Sequence, residues 1–188
     1  MPNRIHKHQQ GFTLLELVVV IIVISILGLF AIDRIFAIRI AAEQAAVKQV
    51  IGTIKSALGL EVARLALEGK MAAVARLDKT NPIHLLSQAP NNYLGEKDDS
   101  DHITQAGAWY FDKNQKALIY NVTYTENFKS SLKGTPRIRH RIKLVYNDQN
   151  ENNRFDPYRD SIAGLDLIAV EKYSWKVDTK QLTQAVQK

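Results

Sequence analysis

The stretch that decides the fold is GFTLLELVVVIIVISILGLFAI, residues 11–32. It consists of a glycine, Gly11, followed by an apolar run over residues 12–32. Only Thr13, Glu16 and Ser25 interrupt its apolar character. At about 1.5 Å per residue, a helix over residues 12–32 measures roughly 31 Å, which matches the ~30 Å hydrocarbon layer of a bilayer. We expect this run to form a membrane-spanning helix.

The residues before this run carry positive charge and no negative charge. Arg4 and Lys7 lie in MPNRIHKHQQG, residues 1–11. A basic flank of this kind stays on the cytoplasmic side, which places the rest of the chain across the membrane. The run ends at Asp33 without the small-residue site of a secretory signal, so we expect the mature protein to keep the helix.

Glu16 is the single carboxylate in the run. A charge inside the hydrocarbon layer costs several kcal/mol unless it is paired, neutralised or close to the interface. In one interpretation Glu16 has a partner in another helix. In the other, its side chain simply reaches the cytoplasmic interface, because it lies near the start of the helix.

The sequence Gly11-Phe12-Thr13-Leu14-Leu15-Glu16 after a basic leader resembles the prepilin signature of type IV pilins and of type II secretion pseudopilins. The resemblance covers about the first 35 residues. It implies that a prepilin peptidase cleaves between Gly11 and Phe12 and that Phe12 becomes N-methylated. Glu16 occupies the acidic position of the signature, where it would neutralise the Phe12 amine of a neighbouring, axially shifted subunit.

The resemblance also implies the partners and the location. The partners would be other pilin or pseudopilin subunits, the prepilin peptidase and an inner-membrane assembly platform. The chain would cross the bacterial inner membrane once, with its C-terminal head in the periplasm, and assemble into a periplasmic or surface filament. We expect three parts: a leader at 1–11, a transmembrane and assembly helix at 12–35, and a pilin-like head at 36–188.

The helical pattern continues after the apolar run but becomes amphipathic. The apolar residues recur at spacings of three and four, as expected for one buried stripe, at Val47, Ile51, Ile54, Leu58, Val62 and Leu65. We therefore predict one long helix over 12–68, with further helical turns at 71–77 and 83–87.

Strand patterns fill the second half of the chain. Residues 108–111 and 117–125 flank a turn and predict a hairpin, with Trp109 and Tyr120 as sheet-packing aromatics. Residues 136–146 and 165–175 predict two further strands, and 89–105 a loop. The predicted fold class is α+β, a long N-terminal helix packed on a small antiparallel sheet, as in pilins.

The strand at 136–146 alternates basic and mainly apolar positions. Its basic row is Arg137, Arg139, Arg141 and Lys143, while His140 lies on the apolar side as a buried or edge histidine. Such a row can contact nucleic-acid phosphates or an acidic protein surface. It can equally be a solvated face with local acidic partners, and this interpretation, without a nucleic-acid partner, is the one we expect.

The segment NDQNENNRFDPYRD, residues 147–160, has an oxygen donor at nearly every second position. Calcium takes six to eight oxygen ligands, and a loop can supply them at alternating positions. We predict a Ca²⁺ site formed by Asp148, Asn150, Asn152, Arg154 through its carbonyl, Asp156 and Asp160, with Glu151 as a further possible carboxylate. The segment resembles calcium loops of secreted bacterial proteins, but Asn153 replaces the EF-hand glycine and Arg159 its last glutamate.

The alternative for this segment is an Asx-rich turn, in which side-chain oxygens bind the backbone of their own loop. The acids Asp98, Asp99 and Asp101 beside His102 are adjacent in a loop, and we interpret them as solvated rather than as metal ligands. A bound metal ion can stabilise a long loop in an exported head that has no disulfide.

The composition excludes several classes of function. The 188 residues have a formal net charge of +6 and no cysteine, which rules out disulfides, thiolate zinc sites and cysteine nucleophiles. No phosphate-binding loop, dinucleotide fingerprint or catalytic triad spacing is present, so we expect no enzyme.

The sequence thus predicts a structural subunit of a type II secretion pseudopilus or of a type IV pilus-like filament, with a role in protein secretion. The alternatives are a minor pilin that binds DNA or another polyanion, and a membrane-anchored calcium-binding module that does not polymerise.

Overall fold

The computed structural model describes residues 12–98 and 103–175, and within the first helix the side chains of residues 30–34 and 37 are not described. Helix α1 spans Leu14–Leu67, in agreement with the predicted long helix. The described residues divide into two compact units, one up to Arg39 and one from Ile40 onwards. The predicted leader at 1–11 and the tail after 175 lie outside the described residues.

Helix α1 contributes its amphipathic stripe to the core of the second unit, as the sequence predicts. Val47, Ile54, Leu58 and Leu65 are buried, with Ile54 fully inaccessible at 0 % exposure. Ile51 and Val62, the other members of the predicted stripe, are partly buried, Ile51 against the apolar cluster that contains Ile54 and Val62 against the cluster that contains Leu65. The three- and four-residue spacing therefore identified the buried face correctly.

After α1 the chain forms short helical segments and then strands. Gly69 adopts φ +69° after the end of α1, where a left-handed residue stops a helix. Helix α2 spans Met71–Val74 and continues into a 3₁₀ turn at Ala75–Leu77. A second 3₁₀ turn spans Pro82–Leu85, with the Asn81 side chain capping it by accepting from the Ile83 amide.

Within residues 12–98 and 103–175, seven strands form two sheets. The strands are β1 Tyr93–Lys97, β2 Trp109–Asp112, β3 Ala117–Asn121, β4 Phe128–Ser130, β5 Arg137–Asn147, β6 Ser161–Ala169 and β7 Tyr173–Trp175. The larger sheet has the order β1-β2-β3-β5-β6, and the smaller one pairs β4 with β7. All pairs are antiparallel except β1 with β2, which is parallel.

The predicted hairpin is confirmed as β2 and β3. Trp109 pairs with Tyr120 across the hairpin, and their rings lie 4.8 Å apart in the core, so both are packing aromatics as predicted. The turn is held by the Asp112 carboxylate, which accepts from the Gln115 amide at 2.7 Å. Strand β3 lies in the centre of the sheet and is buried along its whole length.

Two strand predictions were wrong. The segment 89–105 is not only loop, because it contains β1, whose sequence YLGEK has no alternation and includes Gly95 at φ +85°. The segment 165–175 is not one strand. Strand β6 ends at Ala169, and the chain then bends so that Glu171 pairs with Arg139 before β7 begins.

Candidate functional site

The predicted processing site lies at the start of the described residues. Gly11 is outside them, while Phe12 and Thr13 immediately precede α1. The Thr13 hydroxyl accepts a hydrogen bond from the Glu16 amide at 3.2 Å, so Thr13 caps the helix. Glu16 lies in the first turn and its side chain is exposed. The cleavage, the methylation and the role of Glu16 in assembly stay predictions.

The first unit exposes apolar side chains all around the helix. The large apolar residues from Phe12 to Leu29 are each at least 40 % exposed, and Leu14 reaches 82 %. A helix that is apolar on every side requires an apolar environment, which a bilayer or neighbouring helices can provide.

Within the described residues, no helix is both long enough and apolar enough to cross a membrane. The span predicted at 12–32 stays a prediction.

The 147–160 segment directs its side-chain oxygens to its own backbone. The Asp148 carboxylate accepts from the amides of Asn152 and Asn153, at 3.3 and 2.6 Å. Asn150 accepts from the Asn152 amide, and Asn152 in turn accepts from the Arg154 amide. Asn153 adopts φ +58°, the left-handed conformation that its position requires.

Asp160 joins the two ends of this loop. One of its carboxylate oxygens accepts from the Gln149 amide at 3.1 Å and the other from the Asp156 amide at 2.7 Å. Asp156 accepts from the Tyr158 amide at 3.0 Å. These are the contacts of an Asx-rich turn, and they use the same oxygens that calcium would need.

In the described part of the chain, no three His, Cys, Asp or Glu side chains are grouped to hold a metal. The donor set consists of the hard oxygens that calcium prefers. A carboxylate oxygen that accepts from an amide keeps a further lone pair. Calcium binding through Asp148, Asn150, Asn152, Arg154, Asp156 and Asp160 therefore stays a prediction.

Asp98, one of the loop acids that we interpreted as solvated, pairs with Lys113. Asp99, Asp101 and His102 lie outside the described residues.

Two residues of the basic row on β5, Arg139 and Arg141, are bound to groups of the protein itself. Arg139 pairs with Glu171 at 2.9 Å in a largely buried contact and also donates to the Gln115 side chain. Arg141 donates to the backbone carbonyls of Gln115 and Lys116. These two guanidinium groups therefore support the β2–β3 turn and the bend after β6.

His140 is buried on the apolar side of β5, as the alternation predicts. Its side chain is 5 % exposed, and its ring meets the Tyr173 ring edge to face at 6.1 Å. Burial, with a smaller effect from the charge of Lys55, lowers the pKa of His140 to about 4. It is therefore a neutral packing residue at neutral pH.

Sequence reasoning missed Glu43, a carboxylate that links distant parts of the chain. Glu43 on α1 accepts from the Tyr120 hydroxyl at 2.8 Å and from the amides of Thr123 and Tyr124 at 2.7 and 3.0 Å. Burial and the contact with Glu43 raise the pKa of Tyr120 far above its usual value. Glu43 thereby links the helix to the segment after β3. These contacts could not be predicted from a local sequence pattern, because the partners lie about 80 positions away in the chain.

The comparisons with known proteins agree with the amino-terminal motif. Residues 6–32 match the family model described as the prokaryotic N-terminal methylation motif. This match confirms the resemblance to type IV pilin-like prepilins at the level of the processing motif, and it does not separate pseudopilins from pilins. No curated protein and no solved structure matches the chain.

Proposed function

We propose that this protein is a structural subunit of a pilus-like filament, and more specifically of a type II secretion pseudopilus. The observation that carries the proposal is the methylation motif at residues 6–32, which contains the start of helix α1 at Leu14; the helix continues to Leu67 and packs on a sheet. The subunit would be cleaved between Gly11 and Phe12 and methylated on Phe12. It would act in protein secretion and not as an enzyme.

The exposed apolar half of α1 supports the proposed location and assembly. Before cleavage this surface would lie in the inner membrane, with the head in the periplasm, and after extraction it would pack against the same surface of other subunits. Apolar contacts are non-directional, so they allow neighbouring subunits to pack at many relative positions along the filament axis. A Glu16 carboxylate that meets the Phe12 amine of a neighbour would select one of them.

Two features favour a pseudopilus over a pilus. The sequence has no cysteine, so a disulfide cannot close a head loop as it does in many pilins. The loop at 147–160 has the oxygen-rich composition of a calcium clip, which would serve the same purpose.

Co-expression of the full chain with a prepilin peptidase tests the proposal. We expect mass spectrometry to show a product that begins at Phe12 and carries one N-methyl group. Gly11→Val is the control, because a branched side chain at the cleaved bond should leave the leader attached without changing the apolar helix. An intact leader on the wild-type chain, or cleavage beyond Ile32, would contradict the proposal.

A further inference from the structure

A cavity of about 510 Å³ lies beside strand β5 of the larger sheet, within the second unit. Four cationic side chains line it, those of Lys79, Arg141, Lys143 and Arg154. They come from three separate segments of the chain, so the cavity is a product of the fold and not of one basic run. Two of them, Lys79 and Arg154, lie outside the basic row on β5.

One wall of the cavity, at Asp78 and Lys79, is held to β5 by two hydrogen bonds. The Lys79 amide donates to the Ile142 carbonyl at 3.1 Å, and the Leu144 amide donates to the Asp78 carboxylate at 2.9 Å. Lys79 adopts φ +60°, so the chain turns sharply there and runs along the strand. The Lys79 side chain is therefore carried by an anchored segment.

The opposite wall is the loop that follows β5. Phe155 packs against Tyr146 with the ring centroids 5.3 Å apart, and the Arg154 amide is bound by the Asn152 side chain. Both aromatic residues line the cavity, as does Ile168 from β6. The cavity thus combines cations with apolar and aromatic surface.

Among the residues that line the cavity, positively charged side chains outnumber negatively charged ones. Asp78 is the single acid among the lining residues, and its carboxylate is already bound by the Leu144 amide and lies 3.5 Å from the Lys79 ammonium. Asp166, which faces Lys143 across the strands, is paired with Lys55 at 2.9 Å. Over residues 12–98 and 103–175, neither Lys143 nor Arg154 forms an ion pair.

We infer that this cavity binds an acidic peptide segment of a partner protein that also carries apolar side chains. Carboxylates would meet the ammonium and guanidinium groups, and apolar side chains would cover Tyr146, Phe155 and Ile168. A nucleic-acid strand fits less well because it needs a continuous basic track. The basic row on β5 does not form such a track, because Arg139 is paired with Glu171.

The test uses the full chain in non-ionic detergent micelles and a short fluorescein-labelled peptide of alternating Glu and Leu. Fluorescence anisotropy measures binding, and a titration with empty micelles is subtracted. We expect micromolar affinity that falls as salt rises. Lys143→Glu and Arg154→Glu should each weaken binding about tenfold, because each reverses one charge that faces the carboxylates.

Lys133→Glu is the matched control, because it makes the same change of charge at an exposed lysine that does not line the cavity. It should change the affinity by less than about twofold. The thermal midpoints of all three variants should equal that of the wild type, since the substituted side chains are exposed.

Four results would overturn the inference. The first is no anisotropy change at millimolar protein, and the second is equal weakening by Lys133→Glu. The third is tighter binding of a single-stranded oligonucleotide than of the peptide through Lys143 and Arg154, which would assign the cavity to nucleic acid. A peptide of alternating Lys and Leu that binds as well as the acidic one would also contradict it.

Discussion

Glu43 is a single side chain that determines how helix α1 and the segment after β3 are held together. Its carboxylate accepts three hydrogen bonds, and each bond to a charged acceptor contributes about 1.5–3 kcal/mol before the cost of ordering. We expect Glu43→Ala to lower the free energy of unfolding by about 3 kcal/mol, measured by urea denaturation. Glu126→Ala, at an exposed glutamate, should change it by less than about 0.5 kcal/mol. Equal effects of the two substitutions would contradict this role.

His140 is a residue whose burial makes stability depend on pH. Its pKa is about 4 in the folded protein, mainly because burial disfavours the charged ring, against about 6.5 when unfolded. The unfolded state therefore binds the proton first as the pH falls. The free energy of unfolding should be unaffected by this group above pH ~6.5 and decrease by up to about 3 kcal/mol towards pH ~4.

His140→Phe keeps a ring beside Tyr173 and removes the titrating group, so the decrease between pH ~6.5 and pH ~4 should become smaller. His84→Phe, at a side chain that is 70 % exposed, should leave the decrease in place. Denaturant titrations across this pH range compare the three proteins. An unchanged pH dependence in His140→Phe would show that other groups cause it.

Among the helices and strands, the sequence predicted those whose apolar residues recur at a regular local spacing. The stripe of α1 follows from residues three and four apart, and the hairpin of β2 and β3 follows from two strand patterns around a turn. Strand β1 was missed because YLGEK has glycine and charges in place of alternation, and its pairing with β2 is parallel. The end of β6 was missed because it depends on the contact between Glu171 and Arg139.

The loop at 147–160 is the element whose function depends on a ligand. If calcium binds only the folded protein, a hundredfold excess over Kd adds about 2.7 kcal/mol, which raises the thermal midpoint of a domain of this size by roughly 5 to 10 °C. We expect the full chain to show this shift with calcium and to lose it with chelator. Asp148→Ala combined with Asp156→Ala should abolish the shift, because it removes two carboxylates from the predicted donors.

Asp98→Ala combined with Asp99→Ala is the control for this loop. It removes the same number of charges outside the predicted donor set, so the calcium shift should remain. Calorimetry on the metal-stripped chain measures binding directly. If millimolar calcium gives neither heat nor a thermal shift, the loop is an Asx-rich turn whose oxygens serve only the backbone amides they already bind.

At the scale of the whole molecule, the proposed filament depends on one charged group in an apolar helix. Association through apolar surface alone does not select an axial position, whereas an ion pair between Glu16 and a neighbour's Phe12 amine would. Glu16→Ala removes a costly charge, so membrane insertion and leader cleavage should be retained while assembly into filaments fails. Ser25→Ala is the control, because the Ser25 hydroxyl bonds within its own helix to the Ile21 carbonyl at 2.7 Å. In a host without the wild-type copy, normal secretion or piliation by the Glu16→Ala protein would show that Glu16 only reaches the membrane interface.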